Sequence, residues 1–166
     1  MNKSTAVIAD KVLVGKTVIA EDVSFELPEV VMQTADVSAM GTMSLPLVGL
    51  MDDMALTITK VGIDKNLKHM IKFKKTEFEF RWVQDVVSET GEVSHKGVKA
   101  FVKCFPQKIP GISAEVASGT EIQGSYTVMR YQMFFDGEEI FLIDRLNHIL
   151  RVNGTDYAQD IQNLLK

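Results

Sequence analysis

The chain has a single cysteine, a single tryptophan and only four prolines in 166 residues. Cys104 has no partner for an internal disulfide, so the fold must hold through its core rather than through covalent staples. No apolar run approaches the roughly 20 residues that a helix needs to cross a bilayer. The opening Met-Asn-Lys-Ser-Thr lacks an apolar signal core, and cytoplasmic synthesis without Sec export is the expectation. Cationic excess is missing as well. Lys plus Arg total 18 against 22 Asp plus Glu, for a net charge of -4 and a pI near 5.4, which is not the footprint of a nucleic-acid-binding domain.

Catalytic constellations are also missing. Gly15-Lys16-Thr17 ends like a phosphate-binding loop, but the position that should hold that loop's first glycine is Asp10, whose carboxylate would repel phosphate. His69, His95 and His148 have no HxxxH or Cys-x-x-Cys company, so metal binding is not expected. Asp52-Asp53 and Glu138-Glu139 are neighbours in sequence, and neighbouring strand residues point to opposite faces, so neither pair converges on a substrate. There is no Gly-x-Ser-x-Gly elbow, and Cys104 sits in an alternation that buries it. Asn153-Gly154-Thr155 fits a glycosylation sequon, but without a secretory signal it reads as a turn. Neither an enzyme nor a cofactor is implied.

What the chain does have is a normal apolar fraction of 46% and a charged fraction of 24%, enough for one globular domain over residues 1–166. Its strongest signal is alternation at period two. Phe78, Phe80 and Trp82 alternate with Glu79 and Arg81; Val98, Ala100, Val102 and Cys104 alternate with Lys99, Phe101 and Lys103. The polar Ser88-Glu89-Thr90-Gly91-Glu92 between them predicts a long antiparallel hairpin. Glu121 to Phe135, turned by Asp136-Gly137 into Glu139 to Ile143, predicts a second. Shorter strands are expected at Val12 to Ala20, Val23 to Leu27, Val30 to Ala39 and Ala55 to Thr59. Ile63, Leu67, Met70 and Ile71 share one helical face, which predicts a mid-chain helix. Asp156 is placed to cap a final helix carrying Tyr157, Ile161, Leu164 and Leu165. Residues 143–152 fit helix and strand equally.

Two features need a role. From Lys60 to Lys75 six lysines face only Asp64, which reads either as a solvated face or as a docking surface. From Ala39 to Met54 the chain reads as its longest irregular stretch, with Met40, Met43, Met51 and Met54 among Leu45, Leu47, Val48 and Leu50. Such a loop is too apolar to lie free in water.

The order Leu27-Pro28, Met40-Gly41 and Gly49-Leu50-Met51-Asp52-Asp53-Met54-Ala55-Leu56 is followed by Tyr131 to Phe134, Asp136-Gly137, Glu139 to Asp144, Asn147, Val152-Asn153-Gly154 and Asp156. Together these resemble the major tail tube proteins of contractile phage tails and phage-tail-like bacteriocins. The middle, Lys60 to Glu121, departs from the pattern, and roles there rest on physical argument. The resemblance implies a mainly β fold, a β-sandwich or barrel with long hairpins and a flanking α-helix. It also implies hexameric rings stacked into a hollow tube in a virion tail assembled in the host cytoplasm. Expected partners are further copies of the chain, the sheath, a tape-measure protein, a baseplate hub and a tail terminator, with DNA only in transit. A type VI secretion ring protein would share the fold, and a small β-barrel ligand-binding protein would need a lined cavity.

Three site expectations follow. Met40, Met43, Leu45, Leu47, Leu50, Met51 and Met54 form an inter-ring contact. Asp85, Glu89, Glu92 and Glu121 line the lumen, where negative charge keeps DNA sliding rather than bound. Lys65, Lys68 and Lys72 face outward to the sheath.

Overall fold

The computed structural model describes residues 1–166. Strands β1 (Lys3–Val14), β2 (Thr17–Glu21), β3 (Ser24–Glu26), β4 (Met32–Ser38), β5 (Thr42–Met51) and β6 (Ala55–Val61) precede the one-turn helix α1 (Leu67–Met70). Then come β7 (Thr76–Val87), β8 (Val93–Pro106), β9 (Glu121–Phe135), β10 (Glu138–Asp144), β11 (Ile149–Val152), β12 (Thr155–Asp156) and helix α2 (Gln159–Leu164). The mainly β expectation holds.

Period-two alternation sets the register. On the β7–β8 ladder Phe78 faces Val102 and Phe80 faces Ala100, so one side of the hairpin is continuously apolar. β9 joins β8 along one edge, and its other edge is shared: β10 pairs with Arg130 to Phe135 and β6 with Glu121 to Thr127. The main sheet runs β12-β11-β10-β9-β8-β7-β1-β2, with β6 and β3 branching from β9. It curls back on itself, because the Lys60 ammonium at the end of β6 donates to the Ile19 carbonyl on β2 at 3.4 Å. The enclosed space is filled by Phe78, Phe80, Tyr126, Leu56, Ile58 and Met54, among others. A ligand-binding barrel would need a cavity there, and aromatic rings occupy the place instead.

The turns carry the geometry their residues favour. Asp136-Gly137 and Asn153-Gly154 both have two successive positive φ values, 50° and 84° in the first and 50° and 81° in the second. Asp-Gly and Asn-Gly adopt this conformation most readily, and it matches the twist of the flanking strands.

Several expectations need correction. Val12 to Ala20 is not one strand, since Gly15-Lys16 turns β1 into β2, and β1 begins at Lys3, where two register irregularities against β7 blur the alternation. Ala39 to Met54 is not a loop. Thr42–Met51 is a strand paired with β4 in a separate two-stranded sheet; Pro46 and Gly49 within it hide the strand pattern. The longest irregular connection is residues 107–120. The mid-chain helix shrinks to one turn with Met70 buried and Ile63 exposed, because Asp64 ties the preceding chain down: it accepts the Asn66 N–H at 2.8 Å and the Lys60 ammonium at 2.6 Å. Residues 143–152 resolve as two strand ends joined by a turn. Asp156 does not cap α2, whose N-cap is Ala158; its carboxylate accepts the Leu150 and Ala158 N–H groups and so fixes the approach to the helix.

Candidate assembly surfaces

The β4–β5 hairpin stands apart from the main sheet, and its register sorts its side chains. Ala35 faces Leu45 and Val37 faces Met43, which gives one apolar face; Asp36 faces Ser44 on the polar one. Val37, Met43 and Leu45 remain exposed. A two-stranded ribbon is marginal in water alone, and this one is tied to the body only at its base. There Asp52 donates its N–H to the Val31 carbonyl at 2.8 Å. The Arg145 guanidinium forks onto the carbonyls of Met51 and Asp52, both at 3.1 Å. Gly49, at φ 102°, lets α2 approach so closely that a Cβ there would lie 3.0 Å from the Ile161 side chain. Beside this contact runs a groove of about 830 Å³ lined by Leu47, Leu50, Met51, Ile149 and Ile161.

The expected contact residues therefore divide. Met40 lies fully exposed at the hairpin tip, with φ 51°, a conformation uncommon for a residue other than glycine. Met43 and Leu45 share the open apolar face, while Leu47, Leu50 and Met51 line the groove toward α2. Met54 belongs elsewhere: it is 1% exposed in the core and cannot serve as a contact.

The lysine segment keeps most of its charge on the surface. Lys60 is the exception, at 7% exposure; its ammonium neutralises Asp64, whose carboxyl is held below the usual range by that bond and by the Asn66 N–H. Lys65, Lys68, Lys72 and Lys74 are exposed and make no ion pair; Lys75 approaches Glu77 at 3.5 Å. Met70 anchors the segment, since its carbonyl accepts the buried Tyr126 hydroxyl at 2.9 Å.

The four expected lumen acids are not brought together. Asp85, Glu89 and Glu92 gather at the turn end of the β7–β8 hairpin, where Asp85 lies 2.6 Å from the His95 Nδ1 and Glu89 meets the N-terminal ammonium. Glu121 begins β9 beside Val61, at the opposite end of the sheet. The length of β8 separates the two ends, about 45 Å at ~3.4 Å per residue.

Other polar groups are tied into the fold, although the buried His69 Nδ1 has no hydrogen-bond partner. Glu139 accepts from Arg151 Nε at 2.7 Å and from Gln132 at 2.8 Å, clamping β9, β10 and β11; the Arg151 bond holds its carboxyl below the ordinary value. Burial pushes the Cys104 thiol up to about 12, so no thiolate is available. The three histidines lie on separate elements: His69 in α1, His95 in β8 and His148 in the β10–β11 turn. No helix is long and apolar enough to cross a membrane. Sequence reasoning missed the Arg145 latch, which acts on backbone carbonyls, and the half-buried pair Phe101–Phe134 on the outer sheet face, edge to face at 5.7 Å. The only sequence signal of the two phenylalanines is their position in the alternation.

Comparison with known proteins fits this geometry. The chain is similar to one from the cryo-EM structure of an extracellular contractile injection system, the PVC sheath-tube complex in the extended state. The TM-score is 0.51 at 16% identity, over 75% of this chain and 87% of that one. A chain from the PVC sheath/tube terminator in the extended state is similar with a TM-score of 0.54 at 15% identity, over 78% of this chain and 96% of that one. At such identities the likeness shows the fold alone. No curated protein matches the sequence. The family model for phage tail tube protein FII, in contrast, matches residues 9–165, from within β1 to the end of α2. On that match, the chain belongs to the phage tail tube protein FII family.

Proposed function

We propose that the chain is the structural subunit of the inner tube of a contractile tail or tail-like particle, stacking as hexameric rings, with no catalytic role. The observation that carries this reading is the β4–β5 hairpin, whose apolar face has no cover within the chain. A surface of this kind is covered by another molecule. For a tube protein the covering molecule is a further copy, with Met40, Met43 and Leu45 at the contact. The similarity to chains of sheath-tube and terminator complexes supports a sheath around the tube and a terminator at its end. A tape-measure protein inside, a baseplate hub below, DNA in transit and assembly in a host cytoplasm complete the reading. Asp85, Glu89 and Glu92, collected at one hairpin end, fit a lumen wall that repels phosphate.

The test is Leu45→Asp. The position is 45% exposed in the single chain, so the fold should survive. A carboxylate forced into a desolvated contact costs several kcal/mol unless paired, and the cost recurs at every subunit. Wild-type protein should pellet as tubes while the variant stays in the supernatant with an unchanged melting curve. Normal tubes from Leu45→Asp would exclude the hairpin face as the contact.

A further inference from the structure

Charge is segregated along this chain in a way that the fold does not neutralise. Between Thr17 and Thr59 there are seven carboxylates and no lysine or arginine, and the next residues, Lys60 to Lys75, carry six lysines and one aspartate. Glu29, Asp36 and Asp52 lie on or beside the β4–β5 hairpin, exposed and without an ion-pair partner; Asp36 accepts only the Ser44 hydroxyl, at 3.2 Å. Lys65, Lys68, Lys72 and Lys74 are likewise exposed and without one. The two groups form no ion pair with each other within one molecule. β6 separates them, and its seven residues span about 23 Å at ~3.3 Å each.

Both groups are bordered by uncovered apolar side chains. On the hairpin these are Val37, Met43 and Leu45; at the lysine end they are Val61, Ile63 and Phe73. An acidic, apolar ribbon and a basic, apolar end on the same chain are complementary surfaces. A contact between two different patches of identical subunits is heterologous and repeats indefinitely unless something stops it. We infer that the β4–β5 hairpin of one subunit docks on the Lys65–Lys74 end of a second copy, and that this head-to-tail contact propagates the tube. The inference rests on the tube reading and names the surface that receives the hairpin. The other acidic feature, the β7–β8 turn, is a poorer occupant, since Asp85 already meets His95 and Glu89 already meets the N-terminal ammonium.

Complementation between two full-length charge-reversed proteins tests this contact. One carries Lys65→Glu, Lys68→Glu and Lys72→Glu; the other carries Glu29→Lys, Asp36→Lys and Asp52→Lys. Each alone opposes like charges at every contact and should lose tubes in electron micrographs, while melting as wild type does. Mixed in equal amounts they should regain tubes by alternating, because each reversed surface then meets its reversed complement. Should either triple variant unfold, the single changes Lys68→Glu and Asp36→Lys carry the same complementation. If the lysine variant forms normal bare tubes and fails only to take up sheath, the lysines face the sheath and the inference is wrong. If both variants fold, fail alone and still fail together, the two surfaces do not meet. A wild-type protein that never forms tubes would overturn the tube reading itself, and this contact with it.

Discussion

Replacing Arg145 by alanine should free the β4–β5 hairpin from the body while leaving the main sheet intact. The guanidinium makes two hydrogen bonds to the carbonyls of Met51 and Asp52 and lies 3.8 Å from the Asp53 carboxylate. Hydrogen bonds to charged groups contribute about 1.5–3 kcal/mol net. The Arg145 side chain is 32% exposed, so water replaces part of what is lost, and about 2 kcal/mol for the whole latch is a fair magnitude. At tenfold per 1.4 kcal/mol, that raises the open population of the hairpin roughly 30-fold. Amide hydrogen exchange reads this directly, because opening of a local unit is seen separately from global unfolding. Peptides covering Met32–Ser38 and Thr42–Met51 should exchange about 30-fold faster, with β7, β8 and β9 unchanged. Arg145→Lys should fall between, since one ammonium lacks the planar fork that spans two carbonyls. Unchanged exchange over β4 and β5, or equal loosening of β8, would refute the latch.

Other perturbations test the core and the clamp. Tyr126→Phe leaves the buried Met70 carbonyl without its donor, which costs about 1–3 kcal/mol and lowers Tm by about 2–4 °C for each; a Tm within a degree of wild type would contradict it. The Glu139 carboxyl is held below its ordinary 4.5, chiefly by Arg151, so its stabilising contribution is full above that value and is lost as pH falls through the lowered pKa. The stability advantage of wild type over Glu139→Gln should therefore shrink on acidification, and an advantage that grows would show the sign to be wrong. Cys104, with its thiol raised to about 12 and fully buried, should resist thiol reagents in the native protein and react once denatured; native labelling at a comparable rate would mean the strand opens.

The long hairpins were legible because each pairs an unbroken alternation with a turn of defined chemistry. Phe78, Phe80 and Val102 can occupy one face only if the register is the one observed. The β4–β5 hairpin was not legible as a strand pair, since the irregularity between Met32 and Thr34 sets Met51 and Pro46 at consecutive rungs. The apolar character of Met43, Leu45, Leu47 and Leu50 was legible all the same, because it did not depend on the assignment. Met54 was misplaced for a related reason: it closes the hairpin segment in sequence, yet it sits just ahead of β6 and packs inward with Leu56. The mid-chain helix failed because periodic spacing from Ile63 to Ile71 was counted without the competing turn at Asp64. No pattern could reveal Arg145, whose partners are backbone carbonyls more than 90 residues earlier.

Cryo-electron microscopy of the purified wild-type chain tests most directly whether the β4–β5 hairpin joins subunits into a tube. Hollow tubes of stacked rings are expected, with Val37, Met43 and Leu45 covered by a neighbouring subunit. A protein that remains monomeric at every concentration, or tubes in which the β4–β5 hairpin stays open to solvent, would contradict this role of the hairpin.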